Sequence, residues 1–233
     1  MTRTLMSMSL PALALTLLGG LTWKSPHLNL LSRIASGDFQ AQAVPVIEMP
    51  APQRREAMVP VLLPSLVLDV PRTLVPSIVR SEDNRQMRAE DDRLRCILFA
   101  PEPHLLPDVR ATAGAMQAHL PPGEVAVRAA AYRASTRELS FWMSIQEVCR
   151  LEALLECRLS IFPDTERVEV VQTDHVRGLL AFRSDGADTR ILFDYFSPDE
   201  RLGGMVIFGV PSGDEPAIDR VRAMAASFRI TPS

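Results

Sequence analysis

Lysine is almost missing from this chain. Of 25 basic residues one is lysine, Lys24, so arginine supplies the other 24. Chemistry that runs on a lysine amine, such as a Schiff base or a P-loop, has that single candidate at the edge of an apolar segment. The glycine-rich signatures that cradle phosphate, GxGxxG and GxxxxGK[ST], are absent. So are the GxSxG nucleophile elbow, the HExxH zinc helix and the EF-hand loop. Cysteine occurs three times, at Cys96, Cys149 and Cys157, with no CxxC pair and no histidine at ligand spacing. An exported chain could form one disulfide and keep a spare thiol; otherwise these are small buried hydrophobes. On one straight helix Cys149 and Cys157 would lie about 12 Å apart, too far to bridge.

Charge is the other absence. No acidic residue precedes Asp38, and Thr4 to Trp23 carries no charge of either sign. A membrane span needs about 20 apolar residues, and a signal-peptide core about 7–15. The run has the length of a span, but Pro11, Gly19, Gly20 and the hydroxyl residues Ser7, Ser9, Thr16 and Thr22 weaken it. Ala12-Leu13-Ala14 has the small-x-small cleavage pattern too early in the run, and Ala41-Gln42-Ala43 has it well beyond. Arg3 before the run and Lys24 and Arg33 after it leave orientation open. Residues 1–43 read as an uncleaved anchor or a cleaved signal, placing the protein at or across a membrane, in a bacterial envelope or periplasm. An organelle transit peptide is the alternative. Ser25 and Pro26 suit the start of a helix carrying Leu28, Leu31 and Ala35 on one face with Leu30 and Ile34 beside them, either at a membrane interface or packed on protein.

From Val44 onward 22 arginines face 27 acidic residues, a net −5. That balance argues against a nucleic-acid partner. Residues 44–92 form a second zone. Seven prolines between Val44 and Val79 oppose regular helix, except for a short turn at Gln53–Met58. The stretch is nevertheless rich in Val, Leu and Ile, whose exposure costs about 25 cal/mol per Å². Val59–Val79 is therefore expected to lie extended, either on the protein's own domain or on a protein partner by strand addition. Ser81 to Arg95 is dense in mixed charge and predicts a solvated hinge or surface helix between arm and domain.

Residues 93–233 read as one α+β domain. The expected order is a strand at Leu94–Phe99, a helix at Pro107–His119 and an ambiguous stretch at Glu124–Tyr132. A strand at Glu138–Ile145 with Trp142 in need of cover comes next, then a helix at Gln146–Glu156. Four further strands, Arg167–Gln172, Gly178–Arg183, Arg190–Phe196 and Gly203–Val210, have short connections and predict an antiparallel meander. Ser212-x-x-Glu215 reads as a capping box for a last helix. That helix would cover the sheet with Ala217, Ile218, Val221, Met224, Ala225 and Phe228.

Candidate chemistry is thin. Cys96 with His104, or Cys149 with His175, could activate a thiolate, although no spacing requires it. His27 and His119 fall in the N-terminal segment and at a helix end. Asp185 and Asp188 supply too few oxygens for calcium and read as a turn. Phe182, Phe193, Tyr195, Phe196 and Phe208 read as core. No catalytic residue, cofactor or metal ligand is assigned. The expectation is a non-enzymatic, membrane-tethered or exported protein presenting an α+β domain to another protein. A small-ligand or lipid-binding domain is the alternative, and an enzyme without a recognisable motif the third reading.

Overall fold

The computed structural model describes residues 25–39, 42–53, 56–63, 65–80, 85–99, 108–162 and 164–230. The fold is α+β, mostly antiparallel, with a C-terminal helix on the sheet. The strands are β1 (Val46–Glu48), β2 (Met58–Leu63), β3 (Leu66–Pro71), β4 (Val75–Arg80), β5 (Arg85–Glu90), β6 (Arg95–Phe99), β7 (Arg167–Gln172), β8 (Arg177–Asp185), β9 (Asp188–Phe196), β10 (Gly203–Pro211) and β11 (Arg229–Ile230). The helices are α1 (Pro26–Ser36), α2 (Val109–Thr112), α3 (Glu124–Arg133), α4 (Ile145–Leu159) and α5 (Glu215–Ser227).

Eight strands form one sheet in the order β1-β7-β8-β9-β10-β6-β5-β4, and β11-β3-β2 form a second. The expected meander is β7 to β10, each strand antiparallel to the next. Period-two alternation gives the large sheet two apolar faces. Leu180 and Phe182 of β8, Phe193 and Tyr195 of β9 and Phe208 of β10 point toward α5 and β3. Val168, Leu179 and Ala181 point the other way, toward α3, α4 and α1. The predicted buried stripe of α5 is buried at all six positions.

Two glycines let this sheet close. A Cβ on Gly178 would lie 2.3 Å from the Asp194 carbonyl oxygen, and one on Gly204 would lie 2.4 Å from the Tyr195 hydroxyl. The Tyr195 ring crosses β10 at Gly204, and its hydroxyl donates to the Phe99 carbonyl of β6 at 2.6 Å.

The proline-rich segment is built into this body. β3 is sandwiched between β2 and β11, and its Leu66, Leu68 and Val70 enter the same core as Phe193 and Phe208. Pro60 stands opposite Asp69, whose N–H donates to Ser227 Oγ at 2.9 Å, on the side away from β2. In an antiparallel pair the facing residue then also points its backbone outward. The missing proline donor thus falls on the free edge of β2, where it hinders strand addition. Met58 belongs to β2 rather than to the expected turn.

Several expectations are corrected. The described part of the charged segment, 85–95, is no hinge or helix: β5 lies within it, β6 starts at its last residue, Arg95, and the two pair antiparallel in the large sheet. Its strand character rests on two inward residues, Met87 and Ala89, while Arg88 and Glu90 face solvent. The helix expected at Pro107–His119 is only α2 followed by a 3-10 turn at Gly114–His119, because Gly114 takes φ +52° and breaks the α geometry. Pro107 lies outside the described residues. Glu124–Tyr132 resolves as helix. Asp214, not Ser212, caps α5 by accepting from the Ala217 N–H at 3.1 Å, because β10 runs on to Pro211 and Gly213 makes the turn. On α1 Leu30 is buried and Leu31 exposed, so the inward edge is Leu30–Ile34 rather than Leu28–Leu31–Ala35. Arg33 sets that rotation by pairing with Glu152 at 3.0 Å and Glu156 at 2.5 Å on α4. The uncharged run Thr4–Trp23 lies outside the described residues, and among those that are described no helix is long and apolar enough to cross a membrane.

Candidate functional site

The segment expected as a strand at Glu138–Ile145 is instead a bracketed turn between α3 and α4. Two capping boxes hold its ends. Ser135 accepts from the Arg137 N–H at 3.2 Å while Glu138 accepts from the Ser135 N–H at 2.8 Å. Ser144 accepts from the Glu147 N–H at 3.3 Å while Glu147 accepts from the Ser144 N–H at 2.6 Å. Such reciprocal caps satisfy donors that a helix start would otherwise leave open. They fix the start of a 3-10 turn at Thr136–Glu138 and the start of α4, and force residues 139–143 to bulge. The apolar alternation survives in another form: Leu139 and Met143 turn in toward the core, and Phe141 turns out.

The outward side is conspicuous. Phe141 is 85% exposed, Trp142 90% and Ile145 61%. The Phe141 and Trp142 rings meet edge to face, 5.8 Å apart and at 85°. Large apolar groups clustered in water mark an interaction surface more often than a lone exposed leucine does. α1 begins at the same place. The His27 Nε2–H donates to the Met143 carbonyl at 3.0 Å, and the His27 ring lies 6.4 Å from Phe141. Beside the turn an open groove of about 400 Å³ runs between α3 and α4. Met143, Leu151 and Leu154 give it apolar lining, and Arg133, Arg150, Glu138 and Glu147 give it charge of both signs.

Below the groove a polar cluster is buried in the α3 face. Arg128 of α3 donates to Asp194 Oδ2 of β9 at 2.5 Å and to Glu124 Oε1 at 3.1 Å. Asp194 Oδ1 and the Tyr132 hydroxyl, one helical turn further along α3, lack hydrogen-bond partners of good geometry. Burial pushes the Asp194 carboxyl and the Tyr132 phenol up. Tyr132 lines a cavity of about 50 Å³ with Phe39, Arg158 and Thr165. That volume holds water rather than a drug-sized molecule. On the opposite face Arg222 grips Glu169 with two hydrogen bonds, at 2.7 and 2.9 Å.

The other sequence candidates do not converge. The three cysteines are free. Burial pushes the Cys96 thiol up to about 12, and His104 lies outside the described residues. The Cys157 thiol donates to the Val109 carbonyl at 3.0 Å, and burial pushes it up too. Such thiols are poor nucleophiles. Cys149 is half-buried on α4, while His175 sits in the β7–β8 turn with its N–H on Thr173 Oγ1 at 3.2 Å. His119 closes the 3-10 turn. Asp185 and Asp188 flank the β8–β9 turn and pair with Arg190 at 2.5 Å and Arg95 at 2.8 Å. No cluster of three metal-ligating side chains occurs among the described residues. Phe182, Phe193, Tyr195, Phe196 and Phe208 are buried in the core.

The exposed turn could have been found from sequence. Ser135-x-x-Glu138 and Ser144-x-x-Glu147 are both capping-box patterns, and two helix starts so close together leave no room for a strand. No protein-family model matches the chain, and no curated protein matches it.

Proposed function

We propose that this chain is a non-enzymatic envelope protein, tethered to a membrane or exported by its first residues, whose α+β domain offers the α3–α4 groove to a protein partner. The groove carries the reading. It is open, about 400 Å³, apolar inside and bordered by arginines and glutamates. An apolar centre within a polar rim is the usual anatomy of a protein interface. The alternative of a ligand enclosed between sheet and last helix draws less support, because α5 and the sheet share one packed cluster around Phe193, Phe208 and Phe228.

A photo-crosslinking amino acid placed at Arg150 tests this in cells, with the exposed edge position Leu62 as control. The expected result is a discrete adduct at position 150 that is lost in a Met143→Arg chain. Identical patterns at 150 and 62, or an adduct indifferent to Met143→Arg, would count against the groove.

A further inference from the structure

We infer that the Phe141–Trp142–Ile145 turn is a foot for the lipid–water interface, seating the domain on the membrane where the N-terminal run arrives. The inference rests on the reading of Thr4–Trp23 as a membrane segment and adds how the domain is held against that membrane. The connection is short. His27 bonds to Met143 at 3.0 Å, and it stands four positions after Trp23. An extended chain spans at most ~3.6 Å per residue, so the end of the run can reach no further than ~15 Å from His27. A lipid-embedded run therefore keeps the turn close to the membrane surface.

The chemistry of the turn suits that depth. Tryptophan and phenylalanine rings with an aliphatic neighbour partition into the boundary between headgroups and acyl chains. Arg133, the last residue of α3, and Arg137, in the α3–α4 connection, are exposed and can meet lipid phosphates. Glu138 and Glu147 are exposed on the same turn and balance those two arginines, within a chain that is net −5 from Val44 onward, so the apolar side chains rather than net charge carry the seating. The two capping boxes hold the turn rigid, so seating it costs little ordering entropy.

The chain has two tryptophans, Trp23 and Trp142, which makes a direct test available. In the full-length Trp23→Phe protein, Trp142 is the sole tryptophan. It is reconstituted with vesicles of equimolar phosphatidylcholine and phosphatidylglycerol, with and without brominated acyl chains. The expected result is co-flotation, a blue-shifted Trp142 emission that is shielded from acrylamide, and quenching by bromine. Adding Phe141→Ser and Ile145→Ser should abolish the quenching and keep co-flotation. Co-flotation with an acrylamide-accessible, unquenched Trp142 overturns the foot and leaves the tether standing. Shielding from acrylamide without bromine quenching overturns it in favour of a protein contact. Failure to co-float overturns the tether, and the foot with it.

Discussion

On the α5 face of the large sheet, Glu169 meets Arg222 through both carboxylate oxygens, whereas on the α3–α4 face Asp194 meets Arg128 through one oxygen and leaves the other unpartnered. The same contrast runs through the packing. The α5 face joins strands from the proline-rich segment, the meander and the last helix in one closed cluster, with Phe193, Tyr195 and Phe228 in mutual ring contact. The α3–α4 face holds a small cavity, an open groove and the exposed aromatic turn. One face is spent on stability and the other keeps surface free for contact. A buried charge is tolerable when its partner is well placed and costly when that partner is lost.

The sharpest way to break this comparison is to remove one partner on each face. Glu169→Ala leaves Arg222 beside the closed core with the longer contact to exposed Glu215 at 3.7 Å in place of two short buried bonds, and a loss of about 3–5 kcal/mol is expected in urea unfolding. Asp194→Ala should cost less, because Arg128 retains Glu124 and an unpaired oxygen is removed with the side chain. Equal losses would show that the two faces carry stability alike.

The next largest effects concern the close approaches that let the sheet pack. Gly178→Ala drives a Cβ toward the Asp194 backbone, which cannot rotate away. Gly204→Ala drives one into the Tyr195 hydroxyl and its bond to Phe99. Each should cost about 1–3 kcal/mol by overpacking. Gly204→Ala is the more informative of the two, since the additional change Tyr195→Phe should relieve part of its cost. Thermal unfolding of the two variants together with that double substitution checks the coupling.

Much of this division was legible in the sequence, and the exceptions have physical causes. The α5 stripe and the meander could be read because each element buries one face completely, so periodicity carries the full signal. β5 could not, because the side chains it is seen to turn inward, Met87 and Ala89, are few and its charges look like those of a solvated segment. Leu139, Phe141, Met143 and Ile145 alternate as a strand would, yet capping chemistry at Ser135 and Ser144 decided the local fold. The meeting of His27 with Met143, and of Asp194 with Arg128, depends on tertiary placement that no local pattern encodes.

A smaller effect should appear in acid. Asp91 holds the β5–β6 turn by accepting from the N–H groups of Arg93 and Leu94, both at 2.9 Å, and from the Arg220 guanidinium of α5. Burial alone would raise its carboxyl, but the bond from Arg220 and those two N–H groups outweigh burial and hold it below the ordinary range. A depressed folded value stabilises the protein above the unfolded pKa of about 3.9, and that contribution is lost as pH falls through the folded value. Asp91→Asn should therefore destabilise at neutral pH, by less than about 1 kcal/mol at this partly exposed site. The gap between variant and parent should close as pH falls below the ordinary carboxylate range. A gap that stays constant with pH would assign the turn to packing rather than charge.

The smallest expected change in stability is at the most exposed residue. Trp142→Ser removes a side chain that is 90% in water and outside both core clusters, so unfolding should shift by no more than about 0.5 kcal/mol. Leu151→Ala, on the same face but in the core beneath the groove, should cost about 2–5 kcal/mol. The pair separates residues that hold the α3–α4 face together from residues it displays. Should Trp142→Ser destabilise the isolated chain as Leu151→Ala does, the turn is part of the core and the contrast between the faces loses its outward half. Should it leave stability untouched while abolishing vesicle seating, exposure of a tryptophan in water is explained by what the turn contacts outside the chain, because nothing inside it gains from that position.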